Sequence, residues 1–304
     1  MLIKDVESYL AVRRAVGFDL KIPESLLRNF ARFACQRNER HVVARTAMEW
    51  ASLAPSPGQC DRRLKCIIRF ARYMRAEDER HEIPPDDVFG HPNRQRRVPF
   101  IFSPAEVRQL IEQASCLGPA RSLCPHTYST IFALLAATGL RISEALRLRL
   151  DDITPDGLVI RKTKFRKSRL VPLHETALAG LERYLMRRRC VAGNDDHLFV
   201  SLRRRGLHNS TVHRVFRNLM RAAKLHRGPE SPVPHVHSLR HTFAVRALET
   251  CPNDRNQIGR HLLALSTYMG HAHVTDTYWY LEATPQLLGD IAKAWETFMK
   301  GETQ

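Results

Sequence analysis

Four separated segments of this 304-residue chain carry side chains suited to gripping a phosphate and moving a proton. The first is Ala137-Thr-Gly-Leu-Arg141-Ile-Ser-Glu144, where Gly139 lets the chain turn sharply and sets Arg141 near a helix start. A guanidinium there can hold a phosphate through two parallel hydrogen bonds, or it can pair structurally with Glu144. The second segment is His237-Ser-Leu-Arg240-His241-Thr-Phe-Ala244. His237 and Arg240, three apart, share one face of a helix start, while His241 is expected to turn away and pack. The third runs from Met269-Gly270-His271 to Tyr280. Gly270 reads as a helix C-cap, His271 opens the loop after it, and a phenol follows nine residues later. The fourth is Lys164, on a polar turn over 163–168.

Those residues need a scaffold, and the spacing of apolar side chains predicts a mainly helical one with a small sheet. Residues 1–83 read as about four helices: Val6, Tyr9, Leu10, Val12 and Val16 keep helical spacing, as do Leu26 to Ala34 and Leu64 to Met74. Pro23, Pro55 and Pro57 punctuate them. This predicts a helical domain over 1–88, a linker over 89–101 rich in proline and arginine, and a second domain over 102–304. Ser103, Pro104 and Glu106 form a helix-start signature. Helical text covers Val107–Ala114, Ser129–Ala137 and Ser143–Leu148. Leu158–Ile160 and Leu170–Leu173 then predict a hairpin around Lys164. Helices resume at Ala177–Arg189, Ser210–Lys224, Arg240–Leu248 and Ile258–Tyr268, and an amphipathic tail spans 285–299.

Bulk composition points to a polyanionic partner. Lys and Arg number 48 against 31 Asp and Glu, a net charge of +17. The excess is spread along the chain, with 19 basic and 13 acidic residues up to position 98 and 29 against 18 beyond it. Both halves can therefore touch one polyanion, and nucleic acid leads the candidates. Seven cysteines without a C-x-x-C pair indicate neither a disulfide framework nor a zinc knuckle, so no metal or cofactor is expected. The absence of a signal-like start and of a long apolar run predicts a cytoplasmic protein with no membrane partner, and a nucleic-acid partner makes it nucleoid-associated.

Together the four segments resemble the catalytic pattern of the tyrosine recombinase family, of phage integrase and Xer type. The likeness covers roughly 102–282, in the family's order, and extends to Thr163-Lys164-Phe-Arg-Lys-Ser-Arg169-Leu-Val-Pro-Leu173 as the family's hairpin with its lysine. It implies a helical core-binding domain followed by a mixed α+β catalytic domain, arranged as a C-shaped clamp on duplex DNA. It also implies the chemistry. A phosphodiester repels nucleophiles, and its transition state spreads more charge over the phosphoryl oxygens. Arg141 and Arg240 would clamp those oxygens, with a third hydrogen bond from His271. Tyr280 would attack, His237 would take its proton or only hydrogen-bond, and Lys164 would protonate the departing 5′-hydroxyl. The 3′-phosphotyrosine link keeps the phosphodiester energy, so rejoining needs neither ATP nor metal.

Rivals exist for several roles. Lys162 and Lys167 flank Lys164, which is preferred because it lies five residues before Arg169. Tyr278 competes with Tyr280, and the offset from His271 favours Tyr280; Tyr278 and Trp279 then read as packing residues. His235 reads as a histidine without a chemical role, and His273 as a surface or supporting one. Arg94, Arg96 and Arg97 on the linker, Arg166 and Lys167 on the hairpin, and Arg203, Arg204 and Arg205 are candidate DNA-backbone contacts, as is the Arg187 to Arg189 run. Solvated helix ends are the plainer reading of the last two runs. The resemblance further implies a homotetramer on paired DNA sites, a monomer or weak dimer when free, and docking of the tail over 285–299 into a neighbour. Two other activities fit the same scaffold: type IB topoisomerase action, and DNA binding without catalysis.

Overall fold

The computed structural model describes residues 2–90, 98–119, 121–161, 168–191, 193, 195–225, 228, 231–250, 255–271 and 273–282. The chain divides into two compact units, Met1–Arg96 and Arg97–Gln304. In the first unit, helices α1 (Leu2–Ala15), α2 (Lys21–Cys35), α3 (Ala44–Ser52) and α4 (Pro57–Arg75) follow one another. Val6 and Leu10 of α1, Leu27 and Phe30 of α2, and Leu64, Ile67 and Phe70 of α4 close one core with Trp50 of α3. Val12 and Val16 share the apolar spacing of α1 but stay exposed. Pro57 fits the first turn of α4, where its missing N–H would have no helical partner.

The second unit opens with α5 (Pro104–Ser115). Its start is the predicted reciprocal cap: the Glu106 N–H donates to Ser103 Oγ at 3.2 Å, and the Ser103 N–H donates to Glu106 Oε2 at 2.7 Å. Next come α6 (Cys124–Thr138) and a single turn, α7 (Ile142–Ala145), shorter than its apolar spacing predicts. The antiparallel sheet has three strands in the order β1 (Ile153–Thr154), β2 (Gly157–Ile160), β3 (Arg169–Val171). The hairpin appears where the sequence predicts it, and β1 is an addition. Its register pairs Leu158 with Val171 and Ile160 with Arg169. Partners across an antiparallel pair share a face, so Arg169 lies on the buried side with Leu158, Ile160 and Val171.

Helices α8 (Glu175–Val191), α9 (Asn209–Ala222), α10 (Val236–Glu249), α11 (Arg255–Met269) and α12 (Thr275–Glu282) complete the unit. The fold is thus mainly helical with a small sheet. Among the described residues no helix is long and apolar enough to cross a membrane. Helix α12 was not expected. Its text, Thr-Asp-Thr-Tyr-Trp-Tyr-Leu-Glu, is rich in threonine and aromatic residues that favour helix weakly, so packing must hold it. Trp279 and Tyr280 supply that packing against Ala244, Val245 and Leu248 of α10 and Leu265 and Met269 of α11.

Candidate active site

Two left-handed glycines set the frame. Gly139 (φ +60°) ends α6 and Gly270 (φ +65°) ends α11, so each chain turns sharply and leaves helix-end carbonyls without helical partners. A side chain at 139 would collide with the Phe243 ring, and one at 270 with the Arg169 guanidinium. The orphan carbonyls receive the two candidate arginines. Arg240 donates to the Gly139 carbonyl at 2.6 Å and to the Met269 carbonyl at 2.7 Å. Arg141 donates to the Gly270 carbonyl at 3.1 Å. Both guanidiniums therefore meet beside His271, although the sequence separates them by a whole subdomain.

Glu144 organises the positive charge. Its carboxylate accepts the Arg141 backbone N–H at 3.0 Å and the Arg141 guanidinium at 2.9 Å. It also accepts both prongs of Arg169, which in turn donates to the Tyr268 carbonyl at 2.9 Å. Burial alone would raise the Glu144 pKa; hydrogen bonds and charge from Arg169 and Arg141 reverse that and hold it at about 2. Three guanidiniums thus gather around one bonded carboxylate. Burial first, then the neighbouring Arg141, lower Arg240 to about 10, so it stays charged at neutral pH.

Helix α12 brings the phenol to these groups. Tyr280 is 3% exposed, and its hydroxyl lies 3.2 Å from Nδ1 of His241. Burial raises its pKa, while the charges of Arg240 and Arg141 and a hydrogen bond from Arg240 act against that rise. His271 Nδ1 lies 2.8 Å from the hydroxyl of Thr277, a fully buried residue of α12, and its ring stacks near that of Tyr280. His237 stands one turn before His241, their rings edge to face with centroids 4.6 Å apart. Burial, followed by the nearby Arg240, lowers His237 and His271 to about 4 each. His241 falls to about 3, from burial and then from His237 and His235. All three rings are neutral at neutral pH.

The structure brings together Arg141, Arg240, His237, His271 and Tyr280. Lys164 lies outside the described residues, as do Arg94, Arg96, Arg97, Arg166 and Lys167 and the tail over 285–299. Arg203, Arg204 and Arg205 are exposed on the tight loop between Val200 and Gly206. Arg188 corrects the reading of its run as a solvated helix end: it is 2% exposed and donates to the carbonyls of Asp195, His197 and Leu198. Tyr278 is half exposed rather than packed. His235 caps α10, its Nδ1 lying 2.7 Å from the hydroxyl of Ser238. His241 does not turn away. Positions four apart on a helix are neighbours just as positions three apart are, so His237 shares a face with both Arg240 and His241. That spacing was the available signal. Arg169 and Thr277 carried no comparable one.

Comparison with known proteins places the chain in a family. The model of the phage integrase family matches residues 101–286. An integrase/recombinase of Sinorhizobium fredii, y4rB, is 37% identical over 307 residues, covering 96% of this chain and 97% of its own. Tyrosine recombinase XerD of Caulobacter vibrioides is 30% identical over 243 residues, covering 78% of this chain and 75% of its own. Among solved structures, the XerH site-specific recombinase bound to a palindromic difH substrate has a TM-score of 0.65 at 20% identity, over 90% of this chain and 78% of that one. The Tn1549 transposon integrase with circular intermediate DNA has a TM-score of 0.63 at 18% identity, over 91% and 94%. At such identities the structures speak for the fold, while the family match and the close relatives speak for kinship. The chain belongs to the phage integrase family, that of the tyrosine recombinases, and is a recombination enzyme.

Proposed function

We propose that this enzyme cuts and rejoins double-stranded DNA at specific sites through a 3′-phosphotyrosine link to Tyr280. The observation that carries the reading is the meeting of Arg141, Arg240 and His271 beside the buried Tyr280 hydroxyl. Glu144 is the carboxylate bonded to two of the three guanidiniums, so the site holds an excess of positive charge that a phosphodiester would offset. The arginines are already fixed by carbonyls and carboxylate before substrate arrives. Fixed donors of this kind stabilise developing charge without reorganising during the reaction. His271, oriented through Thr277, donates from its other ring nitrogen to a phosphoryl oxygen, and His237 adds a further hydrogen bond. Lys164, on the turn of the β2–β3 hairpin, protonates the 5′-oxygen as it leaves.

The basic excess in both units supports duplex DNA as the partner, and so do the Tn1549 transposon integrase, solved with circular intermediate DNA, and the XerH recombinase, solved with its palindromic difH substrate. Arg94, Arg96, Arg97, Arg166, Lys167 and Arg203 to Arg205 contribute backbone contacts in this reading. Two sites paired by four protomers, with residues 285–299 docked into a neighbour, make the recombining complex. The experiment is covalent trapping on nicked duplexes drawn from DNA flanking the coding sequence, with exchange between two such sites scored in parallel. Denaturant-resistant adducts and exchanged products are expected. Relaxation of supercoiled plasmid without exchange would instead assign a topoisomerase.

A further inference from the structure

Two imidazoles of α10 lie near the nucleophile, and the structure distinguishes them. The Tyr280 hydroxyl is 3.2 Å from Nδ1 of His241. His237 meets the His241 ring edge to face instead, at 4.6 Å and 85°. Arg240 hydrogen-bonds the same hydroxyl, and a guanidinium has donors only. The phenol proton therefore needs an acceptor, and Nδ1 of a neutral imidazole protonated on Nε2 is one. The rings of Trp279, 5.0 Å away, and Tyr280 pack against His241. With His241 9% and Tyr280 3% exposed, water has little access to their contact.

We propose that His241 is a further catalytic residue, the general base that takes the Tyr280 proton during strand cleavage and returns it during rejoining. The proposal rests on the reading of Tyr280 as nucleophile. As the Tyr280 Oη–phosphorus bond forms, the hydroxyl proton moves to His241 Nδ1. The phosphorus–O5′ bond breaks, and the 5′-oxygen leaves with its electron pair and a proton from Lys164. Rejoining reverses each transfer, so no other reactant is consumed. His237 is then a hydrogen-bond donor to the phosphate.

The charges around His241 fit an acceptor that works only with substrate present. His235, His237 and Arg240 face it from α10 and its cap; Tyr280 faces it from α12, with Asp276 acting on Tyr280 from the same helix. In the free site burial first, and then the neighbouring His237, His235 and Arg240, keep the ring without a proton. A bound phosphodiester brings a negative charge that favours the imidazolium. A protein away from DNA therefore keeps its nucleophile protonated.

The test is His241→Asn, whose amide oxygen can stand near the Nδ1 position as an acceptor but cannot take a proton. Adduct formation on a nicked duplex is expected to fall about 100-fold. The remaining rate should rise about tenfold per pH unit between about pH 7 and 9, where the parent enzyme is flat. His237→Asn should lose rate without gaining that slope. Parent-like rate and profile in His241→Asn, or the slope appearing in His237→Asn instead, would overturn the proposal. If His241→Asn does not fold, 15N spectra of the histidine rings in the parent and in Tyr280→Phe read the contact directly. One ring, protonated on Nε2, should shift at Nδ1 when the hydroxyl is removed, and no such change would overturn the assignment. Adduct surviving in Tyr280→Phe would sink the nucleophile reading itself; adduct lost there but unaffected in His241→Asn sinks only the role of His241.

Discussion

Glu144 and Arg169 form a two-pronged ion pair, with Nη1 3.1 Å from Oε1 and Nη2 2.9 Å from Oε2. Their side chains are 3% and 13% exposed. Because Arg169 starts β3 and Glu144 also holds Arg141, one carboxylate ties the sheet to an arginine of the candidate site.

Removing that carboxylate should be costly. Glu144→Ala leaves the largely buried Arg169 guanidinium and the partly exposed Arg141 without their anion, a loss of about 3 kcal/mol, the low end for broken buried pairs. Denaturant unfolding measures it, and Glu144→Gln, which keeps an acceptor oxygen, should lose less. A Glu144→Ala protein within about 1 kcal/mol of the parent would show that the pair does not organise the unit.

Thr277 should act through His271. Thr277→Val keeps the buried shape but removes the hydroxyl that sits 2.8 Å from Nδ1, so the ring loses the partner that selects its tautomer. Strand cleavage should fall about 10-fold, the scale of a lost supporting hydrogen bond, with DNA affinity little changed. Single-turnover cleavage and a binding titration separate the two, and an unchanged cleavage rate would contradict the role.

What the sequence disclosed follows from which signals are local. The capping box at Ser103, the sharp turns at Gly139 and Gly270, and the short apolar runs at Leu158 and Leu170 are short-range patterns, and each appears where it was expected. The site residues 141, 240, 271 and 280 stood out because four segments, each weak by itself, together resemble the family's pattern in its order and spacing. Pairings across long separations were not legible. Nothing in the text around Arg169 says that it will reach Glu144 and the Tyr268 carbonyl, because that depends on the hairpin packing beside α11. Helix α12 was missed because its composition favours it weakly and its stability comes from the α10–α11 surface.

Acid should destabilise the catalytic unit. His237, His241 and His271 have folded pKa values below the ordinary 6.5, at about 4, 3 and 4. Between those values and 6.5 the unfolded chain binds more protons than the folded one, so stability rises with pH in that window. The contribution is complete above 6.5 and fades as pH falls toward 4. Thermal unfolding of the DNA-free protein should therefore show Tm dropping across this range, less steeply in His241→Asn. A Tm that holds level there would contradict the buried neutral rings.

Cleavage should proceed in a chelator. In the proposed function Arg141, Arg240 and Lys164 would fill the charge-stabilising and proton-donating roles that a metal takes in other phosphoryl-transfer enzymes. Trapping yields with and without EDTA should agree, and a requirement for added magnesium in the cleavage step would contradict the assignment.

The identity of the nucleophile decides the mechanism, and Tyr278, half exposed and two residues before Tyr280 on α12, is its rival. Nuclease and protease digestion of the trapped adduct, followed by mass spectrometry, reports which tyrosine carries the nucleotide. The modification is expected on Tyr280, absent in Tyr280→Phe and retained in Tyr278→Phe; a nucleotide found on Tyr278, or an adduct that persists in Tyr280→Phe, would contradict the account.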